Sequence, residues 1–387
     1  MSLSCENLHV LFFFFFLTFR LPFSSASSHP AVGFTISTHT AAHLPRPERV
    51  ASVLRSLKIP CVRIPEPNPE TIRAFTYSDI SLLLSIPNSF VPEMASNKSN
   101  ALRWLSHHVV PFYPRALISS ISVGDDVLEP STTDISDSLL PAIGNVYGAL
   151  HQLGIHKISV STTFSFTHIV TTAFPPSSAQ FRNPIAGSLV KPLLEFLSST
   201  NSSLLINIHP YMLYRSHPEI PIGFALFQEQ PFSFRDDHTT GFRYRNLFDM
   251  MVDSVISATA TVGHDRIPLI ITETGWPSHG GEDERDATED YAQKYNTGLV
   301  RHLQSGLGTP LRKEGVAETY IYELFDEDWK KGPTSERHWG VLYPNLTKKY
   351  EIEFSSSNRV LGGIIVWLER VQVSLLLALI LLEFLVE

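Results

Sequence analysis

An α/β chain folded as a single (β/α)8 barrel of the TIM type is the architecture this sequence predicts, on three observations. Apolar runs of strand length alternate with segments of helical spacing, the pattern of repeated βα units around a parallel sheet. The candidate strands number eight, which closure into a barrel accommodates without leaving edges. The length of 387 residues exceeds the roughly 250 such a barrel needs, and an apolar fraction of 43% is ample for a sizeable core.

The strands are expected at Ala31 to Ser37, Cys61 to Pro65, Ser81 to Pro87, Leu117 to Gly124, Lys157 to Thr163, Leu204 to His209, Pro268 to Thr272 and Thr319 to Leu324. Each is an apolar run of strand length between segments of helical character. Helical spacing or helix-start chemistry marks Pro47 to Leu57, Pro69 to Phe75, Asn100 to Val109, Ser138 to Leu153, Val190 to Ser199, Leu247 to Ala260 and Thr288 to Ser305. The longest irregular insertion, Ile220 to Arg245, falls between the sixth strand and its helix. A βα loop of that length belongs on the face where barrel enzymes place their chemistry, and is expected to form part of a cleft wall. No internal repeat, Gly-rich phosphate loop or linker between two domains is present.

The barrel unit is expected to occupy residues 29–354. Ahead of it, residues 1–28 read as a secretory signal: Val10, Leu11, five consecutive Phe from Phe12 to Phe16 and Leu17 form an apolar core, followed by small residues from Ser24 to Ser28. Its removal takes Cys5 away and leaves Cys61 without a disulfide partner, as a small core residue in a buried strand. The triplets at Asn97, Asn201 and Asn345 fit a secreted glycoprotein. Residues 355–387 form an apolar tail, interrupted or flanked by Glu369, Arg370, Glu383 and Glu387. Ser355 to Asn358 offer an attachment site for a glycolipid anchor, and a plain extension without anchoring role is the alternative.

A net charge of -8 with no long basic run provides no electrostatic footprint for nucleic acid. No set of His, Cys, Asp or Glu shows a recognised metal-ligand spacing, His107 and His108 included, so no metal is assigned. The chemistry concentrates at two strand ends. Leu269 to Thr272 delivers Glu273, followed by Trp276, whose flat indole is the kind of surface on which sugar rings stack; the plain alternative is a helix-capping Glu beside a core Trp. The fourth strand ends in Gly124-Asp125-Asp126-Val127. Two adjacent acids after a buried strand are costly unless solvated, paired or used, and a helix-capping Asp is the alternative there.

The run Glu273-Thr274-Gly275-Trp276-Pro277 resembles the nucleophile signature of glycoside hydrolase family 17, the plant-type endo-1,3-beta-glucanases. Similarity extends from Val32 to Phe354, through Arg63-Ile64-Pro65-Glu66-Pro67-Asn68-Pro69, Asn246-Leu247-Phe248-Asp249 and Trp339-Gly340-Val341-Leu342-Tyr343-Pro344. The resemblance implies an endo-acting hydrolase of 1,3-beta-D-glucosidic linkages in β-1,3-glucan, a retaining two-carboxylate mechanism, no cofactor, and a monomer in the extracellular space or cell wall, with the outer face of the plasma membrane as the alternative setting. It assigns Glu273 as nucleophile and Asp126 as acid/base, with Asp125 beside it. Glu327, Lys330 and Glu336 match a network supporting the acid/base. Trp276, Tyr211, Tyr214 and His209 are the candidate substrate contacts.

The chain also departs from the family pattern. Asp125 stands where the family has Asn and Asp126 where it has Glu, and Asp326 also replaces an Asn. An Asp withdraws the proton donor by roughly 1 to 1.5 Å, and misplacement of about 1 Å can cost on the order of 100-fold in rate. Family tyrosines are replaced around Thr35, Pro65 and His209. A catalytically feeble glucan-binding or scaffold protein on the same barrel is therefore the second reading.

Overall fold

A computed structural model describes residues 30–37, 44–129, 135–228, 231 and 233–354. Residues 1–28, expected as a signal segment, and the apolar tail at 355–387 lie outside the described residues. Ten strands are present among them: β1 (Ala31–Thr35), β2 (Cys61–Ile64), β3 (Ser81–Ile86), β4 (Leu117–Asp125), β5 (Ser159–Ser165), β6 (Leu204–Asn207), β7 (Arg235–Asp237), β8 (Phe242–Tyr244), β9 (Leu269–Thr274) and β10 (Glu318–Ile321). Eight close into a parallel barrel in the order β1-β10-β9-β6-β5-β4-β3-β2, while β7 and β8 pair antiparallel outside it. All eight expected strands are the barrel strands.

The barrel interior is closed at its floor by Cys61, Leu83, Leu205, Ile270 and Tyr320, contributed by five different strands. Cys61 is 1% exposed, and burial pushes its thiol well above the ordinary range, consistent with an inert core residue. The opposite faces of the strands pack on the helical ring, as Leu82 and Leu84 do from β3 and Leu204 and Ile206 from β6. Full burial of each such side chain contributes about 1.5–3 kcal/mol.

Helix starts follow local chemistry. Asn68 accepts from the Thr71 N–H, Asn246 from the Asp249 N–H and Thr288 from the Tyr291 N–H, each capping the helix that follows. Gly306, at φ 68°, closes the helix Glu289–Ser305 in the left-handed conformation that only Gly adopts without strain. The three sequon asparagines, 97, 201 and 345, are all exposed, and Asn97 also caps the helix Lys98–His108. Among the described residues no helix is long and apolar enough to cross a membrane.

The insertion at 220–245 is more regular than its composition suggests. A one-turn helix Ile222–Ala225 precedes the β7–β8 hairpin, and buried Asp237 ties the hairpin down by accepting from the Ser177 N–H and hydroxyl. Ile220, Phe224 and Arg235 line the main cleft, so the insertion does contribute a wall.

Candidate active site

Chain geometry at the C-terminal ends of the barrel strands gathers the polar residues. The turn after β4 needs Gly124: at φ 77° a Cβ would stand 2.7 Å from Val127 Cγ1. Asp126 follows at φ 46°, a left-handed conformation that Asp tolerates better than most residues and that is found at functional sites. Asn88, from the loop after β3, pins the turn by donating to the Asp125 carbonyl and accepting its N–H, both at 2.8 Å. The Asp126 N–H bonds the Thr163 carbonyl of β5 at 2.9 Å. The two acids thus point into the cleft from a backbone held on both sides.

Across the barrel, β9 carries Glu273 in register with Asn207 of β6. Asn207 accepts from the Thr272 hydroxyl at 2.8 Å. The next turn again needs glycine, because a Cβ on Gly275 would lie 2.2 Å from the Tyr322 carbonyl oxygen. Asp125, Asp126 and Glu273 all line a single cleft of about 1260 Å³.

Arg63, at the end of β2, joins the two sides. It is fully buried, with Nη1 2.5 Å from Glu273 Oε1 and Nη2 on Asp125 Oδ2. Burial disfavours its charge, but the two carboxylates outweigh that and hold the guanidinium firmly protonated. Glu273 shows the reverse balance. Burial raises its proton affinity above the usual carboxylate range and the Asp125 charge adds to this, while Arg63 and Lys330 pull it down.

Lys330, Glu327 and Glu336 meet around one phenol. The Lys330 ammonium donates to the Tyr322 hydroxyl at 2.7 Å and lies 3.1 Å from Glu336 and 3.9 Å from Glu327, while Tyr322 donates to Glu327 at 2.9 Å. The positive charge of Lys330 acts on Glu273, which puts this cluster electrostatically on the Glu273 side of the cleft. Glu323, directly after Tyr322, is fully buried, accepts from the Ser37 hydroxyl at 3.1 Å, and is pushed well above its usual range by burial and the neighbouring Glu327. Asp326 ion-pairs with Lys349 at 2.6 Å.

The expected substrate contacts divide. His209 lines the cleft, its Nε2 3.4 Å from Glu273 Oε2 without a hydrogen bond. Burial, then the Lys330 charge, lower it to about 3, so it is neutral. Trp276 and Tyr211 are corrected by the structure: both are fully buried and neither lines the cleft. The indole N–H of Trp276 donates to the Asp286 carbonyl at 2.7 Å, and its ring packs among Tyr211, Tyr214 and Tyr295. Tyr214 likewise lies outside the cleft lining, its hydroxyl donating to Asp286 at 2.8 Å. The turn after β9 sends Trp276 toward the helical layer, where packing claims the indole before a sugar could. The aromatic residues bordering the cleft are Tyr322, Trp339, Phe166, Phe224 and Phe174, of which Phe174 alone is exposed.

Tyr322, Trp339 and His168 line the cleft, and Arg63 lies buried beneath its acids, without the sequence having marked any of them as site residues. For Arg63 a signal existed, since a cation inside the apolar run of β2 must find carboxylate partners.

The model of glycosyl hydrolases family 17 matches residues 33–354. The chain belongs to this family. It is 37% identical over 369 residues to glucan endo-1,3-beta-glucosidase 1 of Arabidopsis thaliana, covering 92% of this chain and 71% of that protein. It is 37% identical over 320 residues to glucan endo-1,3-beta-glucosidase 12 of the same plant, covering 82% of this chain and 59% of that one. Among solved structures, a beta-1,3-glucanase and allergen of Cryptomeria japonica pollen superposes with a TM-score of 0.80 at 35% identity, covering 84% of this chain and all of the other. A plant beta-glucan endohydrolase superposes at 0.75 with 32% identity, over 83% of this chain and 100% of that one.

Proposed function

We propose that this protein hydrolyses internal 1,3-beta-D-glucosidic linkages of β-1,3-glucan by a retaining double displacement. The observation that carries the reading is the convergence of strand-end acids from β4 and β9 on one cleft, within a chain belonging to a family of glycosyl hydrolases. Glycoside hydrolysis needs two carboxyl-bearing sides facing across the scissile bond, one to attack the anomeric carbon and one to manage the leaving-group proton. Glu273, held on Arg63, is the nucleophile. The Asp126 side of the cleft is the acid/base station, and Asp125 sets the charge balance at Arg63. Glu327, Lys330 and Glu336 support Glu273 through Tyr322, and His209 with the cleft aromatics contacts sugar.

A neutral polymer suits this cleft, because the charges on its floor are already paired within the protein and the polar groups left over can meet hydroxyls. The setting is extracellular or the cell wall, a reading supported by the apolar N-terminal run and by exposed asparagines at all three sequons. The catalytically feeble scaffold reading gains no observation of its own.

The test is incubation of the purified protein with linear 1,3-β-glucan oligomers, following product lengths by chromatography and the anomer first formed by NMR. Internal cleavage releasing β-configured ends, abolished in Glu273→Ala, is the expected result. Absence of cleavage in the parent, or cleavage undiminished in Glu273→Ala, overturns the assignment.

A further inference from the structure

Beside Asp126 stands a group that neither the strand pattern nor the family motif marks. His168 lies in the one-turn helix Phe166–Ile169 that follows β5. Its Nδ1 is 2.9 Å from both Asp126 Oδ1 and Asp126 Oδ2, and Asp126 Oδ1 also accepts the Ser165 N–H at 3.1 Å. Both side chains line the cleft that Glu273 lines, with 26% of His168 and 20% of Asp126 exposed. With Nδ1–H directed at the carboxylate, Nε2 is the nitrogen left for a substrate, and no described residue hydrogen-bonds it.

The hydrogen bond to Asp126 raises the proton affinity of His168 above that of an ordinary histidine; burial opposes this, the charges of Asp126 and Glu129 add to it and Arg182 subtracts. In the resulting pair Nδ1–H donates and the Asp126 carboxylate accepts, which favours the protonated ring. Aspartate falls short of glutamate by one methylene, whereas the ring of His168 carries Nε2 on the side facing away from Asp126. A carboxylate that fixes the tautomer and orientation of an imidazole is a recurring way to build a general acid/base.

We propose that His168 is the general acid/base of this enzyme and that Asp126 is its positioning residue; the proposal rests on Glu273 being the nucleophile of this cleft. In the first step the imidazolium Nε2–H passes its proton to the glycosidic oxygen as the C1–O bond breaks and a Glu273 oxygen bonds C1, and the leaving sugar departs as an alcohol. In the second, neutral Nε2 takes a proton from water while the water oxygen bonds C1 and the bond from C1 to Glu273 breaks. Imidazolium and both carboxylates are thereby restored.

The experiment compares His168→Gln, His168→Ala, Asp126→Asn and Glu273→Ala on two substrates: a linear 1,3-β-glucan oligomer, whose leaving group needs a proton, and the dinitrophenyl β-glycoside of a 1,3-linked disaccharide, whose leaving group does not. Both His168 variants are expected to lose about 10²–10⁴-fold in kcat/KM on the oligomer while keeping most of it on the dinitrophenyl glycoside. Azide should accelerate their turnover of the latter and yield a β-glycosyl azide, and the fall of activity at high pH should vanish. The Gln variant keeps a hydrogen bond to Asp126, so the test does not depend on the Ala variant folding. Equal loss on both substrates, or wild-type rates in His168→Gln beside a leaving-group-selective loss in Asp126→Asn, overturns the proposal. Wild-type cleavage of the dinitrophenyl glycoside by Glu273→Ala would instead remove the nucleophile assignment on which the proposal rests.

Discussion

Asp125 is the residue at which this cleft differs most plainly in charge from its family pattern, and Asp125→Asn isolates the effect. In the structure one guanidinium serves two carboxylates, with Arg63 Nη1 on Glu273 and Nη2 on Asp125. Carboxylates held on neighbouring nitrogens of one guanidinium are roughly 5 Å apart, and at an effective dielectric of about 20 their repulsion is about 3 kcal/mol, or about two pKa units. Glu273 has its proton affinity raised first by burial and then by this charge, and it must be ionised to attack. A raised value puts the acidic limb of kcat/KM at higher pH, so replacing Asp125 by Asn moves that limb to lower pH by one to two units. Activity at a pH below the parent's limb rises correspondingly. The amide introduced by Asp125→Asn retains an oxygen for Arg63 and leaves the backbone bonds to Asn88 in place, so the fold is expected to persist. The assay is kcat/KM against pH for the dinitrophenyl glycoside, whose cleavage needs no acid. A limb that stays in place or moves upward refutes the shared-guanidinium argument.

Lys330→Met should move the same limb upward, because Lys330 favours the ionised form of Glu273; a downward shift contradicts its placement near the nucleophile. Trp276→Ala removes a fully buried indole and should cost about 3–5 kcal/mol in denaturant unfolding, with KM for glucan unchanged in the folded enzyme; a raised KM at unchanged stability would restore a stacking role. Gly275→Ala places a methyl against the Tyr322 carbonyl, a backbone atom no rotamer change can move aside, so melting temperature and kcat should fall together. Asp126→Glu, introduced into His168→Ala, should recover hydrolysis of the oligomer by supplying the longer acid directly; failure to recover any would count against the station assigned to position 126.

The barrel was legible because its strands are buried on both faces and read as short, largely uncharged runs rich in Ile, Leu and Val, broken in β4 and β5 only by small Ser and Thr. Their C-terminal ends were less so. β4 runs to Asp125, β5 to Ser165 and β9 to Thr274, each past the last apolar residue, because the strand end is where polar site residues are mounted. The short helix Val91–Ser96 and the β7–β8 hairpin were missed, the first for its brevity and the second because its strands are only three residues each and β7 is wholly charged. Glu273 and Asp126 were visible as acids at strand ends. Trp276 misled because adjacency to a catalytic motif says nothing about direction, and its side chain turns toward Tyr295 rather than the cleft. His168 was invisible for a different reason: its partner lies 42 residues away in sequence, on the neighbouring strand end, and only the β4–β5 pairing brings them together.

The two aspartates that depart from the family motif act on opposite limbs of one pH profile. With the roles proposed above, turnover requires Glu273 ionised and His168 protonated at the same time. Asp125 lifts the proton affinity of Glu273 and so raises the lower bound of the working range. Asp126 lifts that of His168 and so raises the upper bound above where an isolated imidazole would put it. A change at 125 alone, with an ordinary histidine as acid, would squeeze the active window from below; the change at 126 reopens it from above. The two limbs belong to interacting groups across one cleft and are read as macroscopic values of the pair. On this reasoning Asp125→Asn broadens the window while His168→Gln removes its upper edge, and the double variant should show neither boundary in its parental place.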